Sequence, residues 1–225
     1  MAEHCTTSRK AHLARAAVGA AIVAGLFGGN IAAASADSAH EQPATVTAHQ
    51  AADGNKPEKA GIQVTASQVL ALARAQIGTS ENSDGGGTKY QKWYASTPRA
   101  AETVARDGGT TAGYLDAAWC SMFVSWVGNQ TGARNLIGWD AYTVAHAKWF
   151  ADNHRFGDEP KPGAVVFFSW SGSKSIDDIQ HVGFVVKDNG NGTISTIEGN
   201  TAGTVAARVR SKSQVVGYGY PDYAG

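Results

Sequence analysis

Only two cysteines, Cys5 and Cys120, stand in 225 residues, and the formal net charge is zero. So few thiols argue against a disulfide scaffold and against thiolate zinc sites, which need paired CxxC ligands. No HExxH signature marks a helix that could bind a metal through two histidines. Without a charge excess, the chain lacks the electrostatic footprint of a protein that binds nucleic acid or an anionic membrane surface. There is no internal repeat. What remains is ordinary for a folded core, with 43% hydrophobic and 17% charged residues, although glycine is abundant at 27 residues.

Arg9, Lys10 and Arg15 precede an uncharged run from Ala16 to Ala36 that ends in Ala34-Ser35-Ala36. This is the layout of a secretory signal peptide with a small-x-small cleavage site before Asp37. Gly25, Gly28, Gly29 and Asn30 make the run a poor permanent span, so no membrane association is expected after cleavage. No Arg-Arg pair suggests a twin-arginine signal, and no cysteine at the cut suggests a lipid anchor. Loss of residues 1–36 would leave 16 basic and 18 acidic residues, a net charge of −2. It would also remove Cys5, leaving Cys120 as a lone thiol, either buried and inert or reactive. Residues 37–61 have no apolar periodicity and read as a flexible tail. Residues 62–225 are expected to form one folded domain.

Within that domain the first half reads as helical. A helix capped by Thr65 or Ser67 should run to Ile77, with Gly78 as its stop. Residues 79–89 form a glycine-rich loop, Tyr90, Trp93 and Tyr94 lie on a short helix, and 98–117 is a polar stretch. Trp119-Cys120-Ser121-Met122-Phe123-Val124-Ser125-Trp126-Val127 then opens a helix whose apolar stripe begins at Cys120. A thiol in the first turn feels the positive end of the helix dipole, which favours thiolate. A further helix is expected from about Asp140 to Asp152. After Pro160 and Pro162-Gly163 the pattern turns to strands: Ala164–Ser169, Val182–Lys187, Thr193–Ile197, Val205–Arg210 and Val215–Tyr220. Helices followed by strands predict an α+β fold with an antiparallel sheet of about five strands.

Of seven histidines, His146, His154 and His181 fall in this domain. His146 and His154 read as structural or exposed, whereas His181 opens a strand. If the Asn189-Gly190-Asn191-Gly192 turn pairs Asp188 with Thr193, His181 faces Asn200 and Gly183 faces Glu198. His181, Glu198 and Asn200 then share one face, with Val182, Phe184, Val186 and Ile197 on the other. Gly183 leaves room on the polar face, and the cysteine helix is expected to pack there. Thiol, imidazole and a side-chain acceptor would thereby meet as nucleophile, base and orienting group.

Trp119-Cys120-x-x-Phe123-Val124-x-Trp126, His181-Val182-Gly183 and Glu198-Gly199-Asn200-Thr201 together resemble the CHAP family of cysteine, histidine-dependent amidohydrolases and peptidases. That family lies within the papain-like group that includes NlpC-type cell-wall hydrolases. The likeness runs from about Ser67 to Tyr223. It implies a papain-like fold, Cys120 as nucleophile, His181 as base, Glu198 or Asn200 as orienting group, and peptidoglycan as substrate. Glu198 is the preferred orienting group, because a carboxylate adds a charge-assisted hydrogen bond to imidazolium. Ala164 stands where the family usually has Asp. The acidic cluster that gives some members calcium is missing, since Asp116 is alone, so no metal and no cofactor is expected.

A secreted, monomeric peptidoglycan hydrolase cleaving amide bonds is therefore expected. It would act as an N-acetylmuramoyl-L-alanine amidase or as an endopeptidase of the stem or cross-bridge. The rivals are a secreted cysteine protease and a catalytically silent wall-binding module. Trp119, Tyr90, Trp93 and Tyr94 are candidates for lining a substrate groove, and the loop Ser171–Gln180 for shaping access to it.

Overall fold

A computed structural model describes residues 63–225, and the expected leader (1–36) and the whole of the tail (37–61) lie outside the described residues. Helix α1 (Ala66–Arg74) starts where Thr65 and Gln68 cap one another's backbone N–H. Helix α2 (Lys89–Ala95) starts with the same device, Thr88 and Gln91. Gln91 is fully buried, and its Nε2 donates to the Ala117 carbonyl at 2.9 Å. This ties down the chain three residues before Cys120.

The polar stretch 98–117 is not irregular. It holds helix α3 (Pro98–Asp107) and a 3₁₀ turn (Thr111–Leu115). Only Ala100 and Thr103 of α3 are buried, so no apolar stripe announces it. Thr97 as cap and Pro98 as first residue do mark its start. Helix α4 (Cys120–Gln130) has eight buried residues and is apolar almost all round, as suits a central core helix. A short α5 (Arg134–Ile137) leads to α6 (Thr143–Asp152), which begins later than Asp140. The buried Asp140 carboxylate accepts from the Tyr142 N–H, Arg99 and Arg106 instead of entering the helix.

The five expected strands are all present, as β2 (Val165–Phe168), β3 (His181–Asp188), β4 (Thr193–Thr201), β5 (Thr204–Ser211) and β6 (Val215–Gly219). A two-residue β1 (Phe156–Gly157) makes a sixth. All pairs are antiparallel, in the order β1-β6-β2-β3-β4-β5. The fold is α+β.

Each face of the sheet has its own apolar layer. Val165, Phe167, Val182, Phe184 and Ile197 join the helices, with Phe123 of α4 edge-on to Phe184 at 6.3 Å. Val166, Phe168, Val185 and Ile194 form a second cluster on the other face, with Val215 and Tyr218. Burial on both faces explains why β2 reads as an unbroken Val-Val-Phe-Phe run. Among the described residues, no helix is long and apolar enough to cross a membrane.

Candidate active site

Cys120 is the first residue of α4, behind Trp119 as N-cap, and is buried. The Trp119 indole Nε1 donates to Glu81 Oε2 at 2.9 Å, and the Glu81 N–H donates to the Gly203 carbonyl in the β4–β5 turn. Because β3 and β4 are antiparallel, that turn lies at the His181 end of the sheet. The start of α4 therefore lies at the same end as His181 and Glu198.

The hairpin follows the expected register only on the site side. Phe184 pairs with Ile197 and Val185 with Thr196, but Asp188 pairs with Ile194 and not with Thr193. The turn is one residue longer than expected, and a bulge at Val186 absorbs the difference. His181 and Glu198 thus share a face, and His181 Nε2 lies 2.9 Å from Glu198 Oε2 with both side chains fully buried.

Helix α4 does not lie on that face. It packs on the opposite one, and a Cβ on Gly199 would stand 2.5 Å from the Cβ of Phe123. The space beside Gly183 is filled from its own sheet, since a Cβ there would stand 2.6 Å from Glu198 Cγ. Gly183 thus accommodates the carboxylate's own stem and not a neighbouring helix.

Asn200 does not sit opposite His181 in the ladder. Pairing becomes irregular between Glu198 and Thr201, and Asn200 takes a left-handed φ of 53°. Asparagine is among the few residues that adopt this conformation readily. The side chain that reaches the imidazole is Glu198.

Glu198 accepts from several donors. Arg210 Nη2 donates to Oε2 at 2.6 Å, its Nε reaches both oxygens, and Thr196 Oγ1 donates to Oε1 at 2.5 Å. Burial by itself would raise this carboxyl. The hydrogen bonds and charges of His181 and Arg210 outweigh burial and hold it at about 2. Ionised, Glu198 can only accept, so Nε2 of His181 must carry the proton of that bond. The lone pair of neutral His181 is then on Nδ1, which is buried without a hydrogen-bond partner. An imidazole oriented in this way can take a proton at Nδ1.

Cys120 stands in a disulfide in this chain.

A second polar network supports the cysteine helix from behind. Ser121 and Ser125 donate to the Asp140 carbonyl at 2.7 and 3.1 Å, and Ser121 Oγ lies 2.8 Å from His146 Nδ1. His146 is fully buried, which lowers its pKa despite its bond to the Ile137 carbonyl and the nearby Asp140. It is structural, and His154 is exposed. Trp119, Tyr90 and Tyr94 are fully buried packing residues, not a groove wall.

Sequence reasoning missed Arg210, Thr196 and Trp170. The Trp170 ring lies 5.4 Å from that of His181, and the Arg210 guanidinium carbon lies 5.0 Å above the indole. The alternation of Arg208 and Arg210 placed both on one face of β5, but their partner depended on a register not readable beforehand.

The molecule is thus an α+β protein with a cysteine-headed core helix at the sheet end that carries a histidine–carboxylate pair. Residues 109–200 match the family model of the CHAP domain. A CHAP domain implies a cysteine, histidine-dependent amidohydrolase or peptidase. The matched stretch contains Cys120, His181, Glu198 and Asn200 and ends before Arg210. No curated protein matches the chain.

Proposed function

We propose that the chain is a secreted peptidoglycan hydrolase that cleaves an amide bond with Cys120 as nucleophile, His181 as general base and Glu198 as orienting group. The observation that carries this reading is the fixed imidazole: Nε2 bonded to a buried carboxylate, Nδ1 buried and unpartnered. In the reduced enzyme His181 takes the Cys120 proton at Nδ1. The thiolate, favoured by the start of α4, attacks the amide carbonyl. Backbone N–H groups at the helix start, including that of Cys120, bind the oxyanion. The imidazolium returns its proton to the leaving amine, and water, deprotonated by His181, hydrolyses the thioester.

The scissile bond is either the one between N-acetylmuramic acid and L-alanine or one within the stem peptide or cross-bridge. Mass spectrometry of muropeptides released from purified peptidoglycan by residues 37–225, beside Cys120→Ala, separates these. Whole stems freed from intact glycan identify an amidase, and internally cut stems or opened cross-bridges identify an endopeptidase. Equal release by both proteins, or none by either, overturns the proposal. Digestion of casein by the unsubstituted protein only would favour a protease of protein substrates.

A further inference from the structure

Glu198 is held from two sides, and His181 supplies only one of them. Across the sheet, Arg210 of β5 brings both its Nε and its Nη2 to the carboxylate, and Thr196 of β4 adds a further donor to Oε1. Arg210 is itself held. Its Nη2 reaches Thr201 Oγ1 at 3.2 Å, and its guanidinium lies over Trp170. Trp170 in turn lies against His181, and its backbone N–H donates to the side-chain Oε1 of Gln180, the residue before that histidine, at 2.8 Å. His181, Glu198, Arg210 and Trp170 form a closed ring of contacts around the carboxylate. The other nearby cation, Arg208, is turned to Thr201 through its Nε at 3.0 Å.

We propose that Arg210 is a positioning residue: braced by Trp170, it fixes the Glu198 carboxylate as an acceptor and so keeps the proton of neutral His181 on Nε2 and the lone pair on Nδ1. The inference rests on the hydrolase reading above. A lone carboxylate on this buried face would have open rotamers and would favour its neutral form, in which it could donate to Nε2 and reverse the tautomer. A guanidinium fork removes both freedoms, because it can only donate and it matches a carboxylate in one plane. Lysine supplies the charge but not the fork.

The test is the rate at which iodoacetamide alkylates Cys120 in the reduced full chain near neutral pH, read on the Cys120 peptide by mass spectrometry, beside peptidoglycan turnover. Arg210→Met is expected to slow alkylation and lower kcat by roughly tenfold or more, with KM little changed, as loss of an outer partner does for metal-bound histidines. Arg210→Lys should recover part of both. In a Glu198→Gln background Arg210→Met should add nothing, because its effect passes through the carboxylate. If Arg210→Met fails to fold, Arg210→Lys must still be slower than the parent and indistinguishable from it once Glu198 is Gln. Parental rates in both Arg210 variants overturn the proposal. So does an equal loss with Glu198 present or replaced, which marks a purely structural arginine. Slowed alkylation in a chain that cleaves no peptidoglycan supports the positioning role and overturns the hydrolase reading instead.

Discussion

Trp119 Nε1 and Glu81 Oε2 are joined by a 2.9 Å hydrogen bond across 38 residues of sequence, and this bond anchors the residue preceding Cys120 to the β4–β5 turn. Glu81→Gln keeps an acceptor for the indole, whereas Glu81→Ala leaves a buried N–H without one. Glu81→Ala is expected to cost about 1–3 kcal/mol of stability, the penalty of an unsatisfied buried donor. It should also lower turnover, because the Cys120 turn loses its tether. Denaturant unfolding and muropeptide release measure the two effects, and Glu81→Gln should stay near the parent in both.

The His181–Glu198 pairing was legible because strand periodicity carries face information over long distances. Two departures cancelled at the site: the turn is one residue longer than its Asn-Gly-Asn-Gly sequence suggests, and the bulge at Val186 removes the offset before Phe184. The face on which α4 packs was not legible. Gly183 and Gly199 both lack a side chain, and nothing in the sequence says that Glu198 fills one space and Phe123 the other. Arg210 was hidden for a related reason. It pairs with Ile194 in the ladder and reaches Glu198 by side-chain length. Helix α3 carries its start signal, but its residues are mostly polar and only Ala100 and Thr103 are buried.

The two glycines give separable substitutions. Gly199→Ala drives a methyl into Phe123 and should cost about 1–3 kcal/mol, the usual penalty of overpacking, by forcing α4 from the sheet. Gly183→Ala drives a methyl into the Glu198 stem and should lower turnover more than a Gly199→Ala protein of equal stability does. Paired measurements of unfolding free energy and kcat decide this. Equal kcat in both variants at matched stability would sink the assignment of Gly183 to the carboxylate.

Glu198 also makes stability depend on pH. Its carboxyl falls from an ordinary 4.5 to about 2 in the folded chain, where burial opposes the shift and His181 and Arg210 drive it. The folded state therefore prefers the ionised form. The resulting stability, of order 3 kcal/mol, is complete above the unfolded value and drains away as pH falls from about 4.5 toward 2. Glu198→Gln should flatten that part of the curve and be less stable at neutral pH, because Arg210 and His181 lose their ionic partner. Urea unfolding at pH values on either side of this window reads the difference. Equal acid sensitivity in both proteins would show that the carboxylate is not held low.

The reactivity of Cys120 separates a working site from a silent copy of the fold. In residues 37–225 Cys120 is the only cysteine, so one alkylation rate reports one thiol. If Nδ1 of His181 accepts its proton, the thiol should react with iodoacetamide near neutral pH faster than an ordinary cysteine. His181→Ala should lower the rate to what the helix start alone supplies. Glu198→Gln should fall between them, because the ring remains but its tautomer is no longer imposed by an obligate acceptor. In turnover the same substitution should cost roughly a hundredfold or more, the scale of a misdirected general base. A His181→Ala protein that alkylates as fast as its parent would mean that the helix start alone activates the thiol, and the base would have to be sought elsewhere.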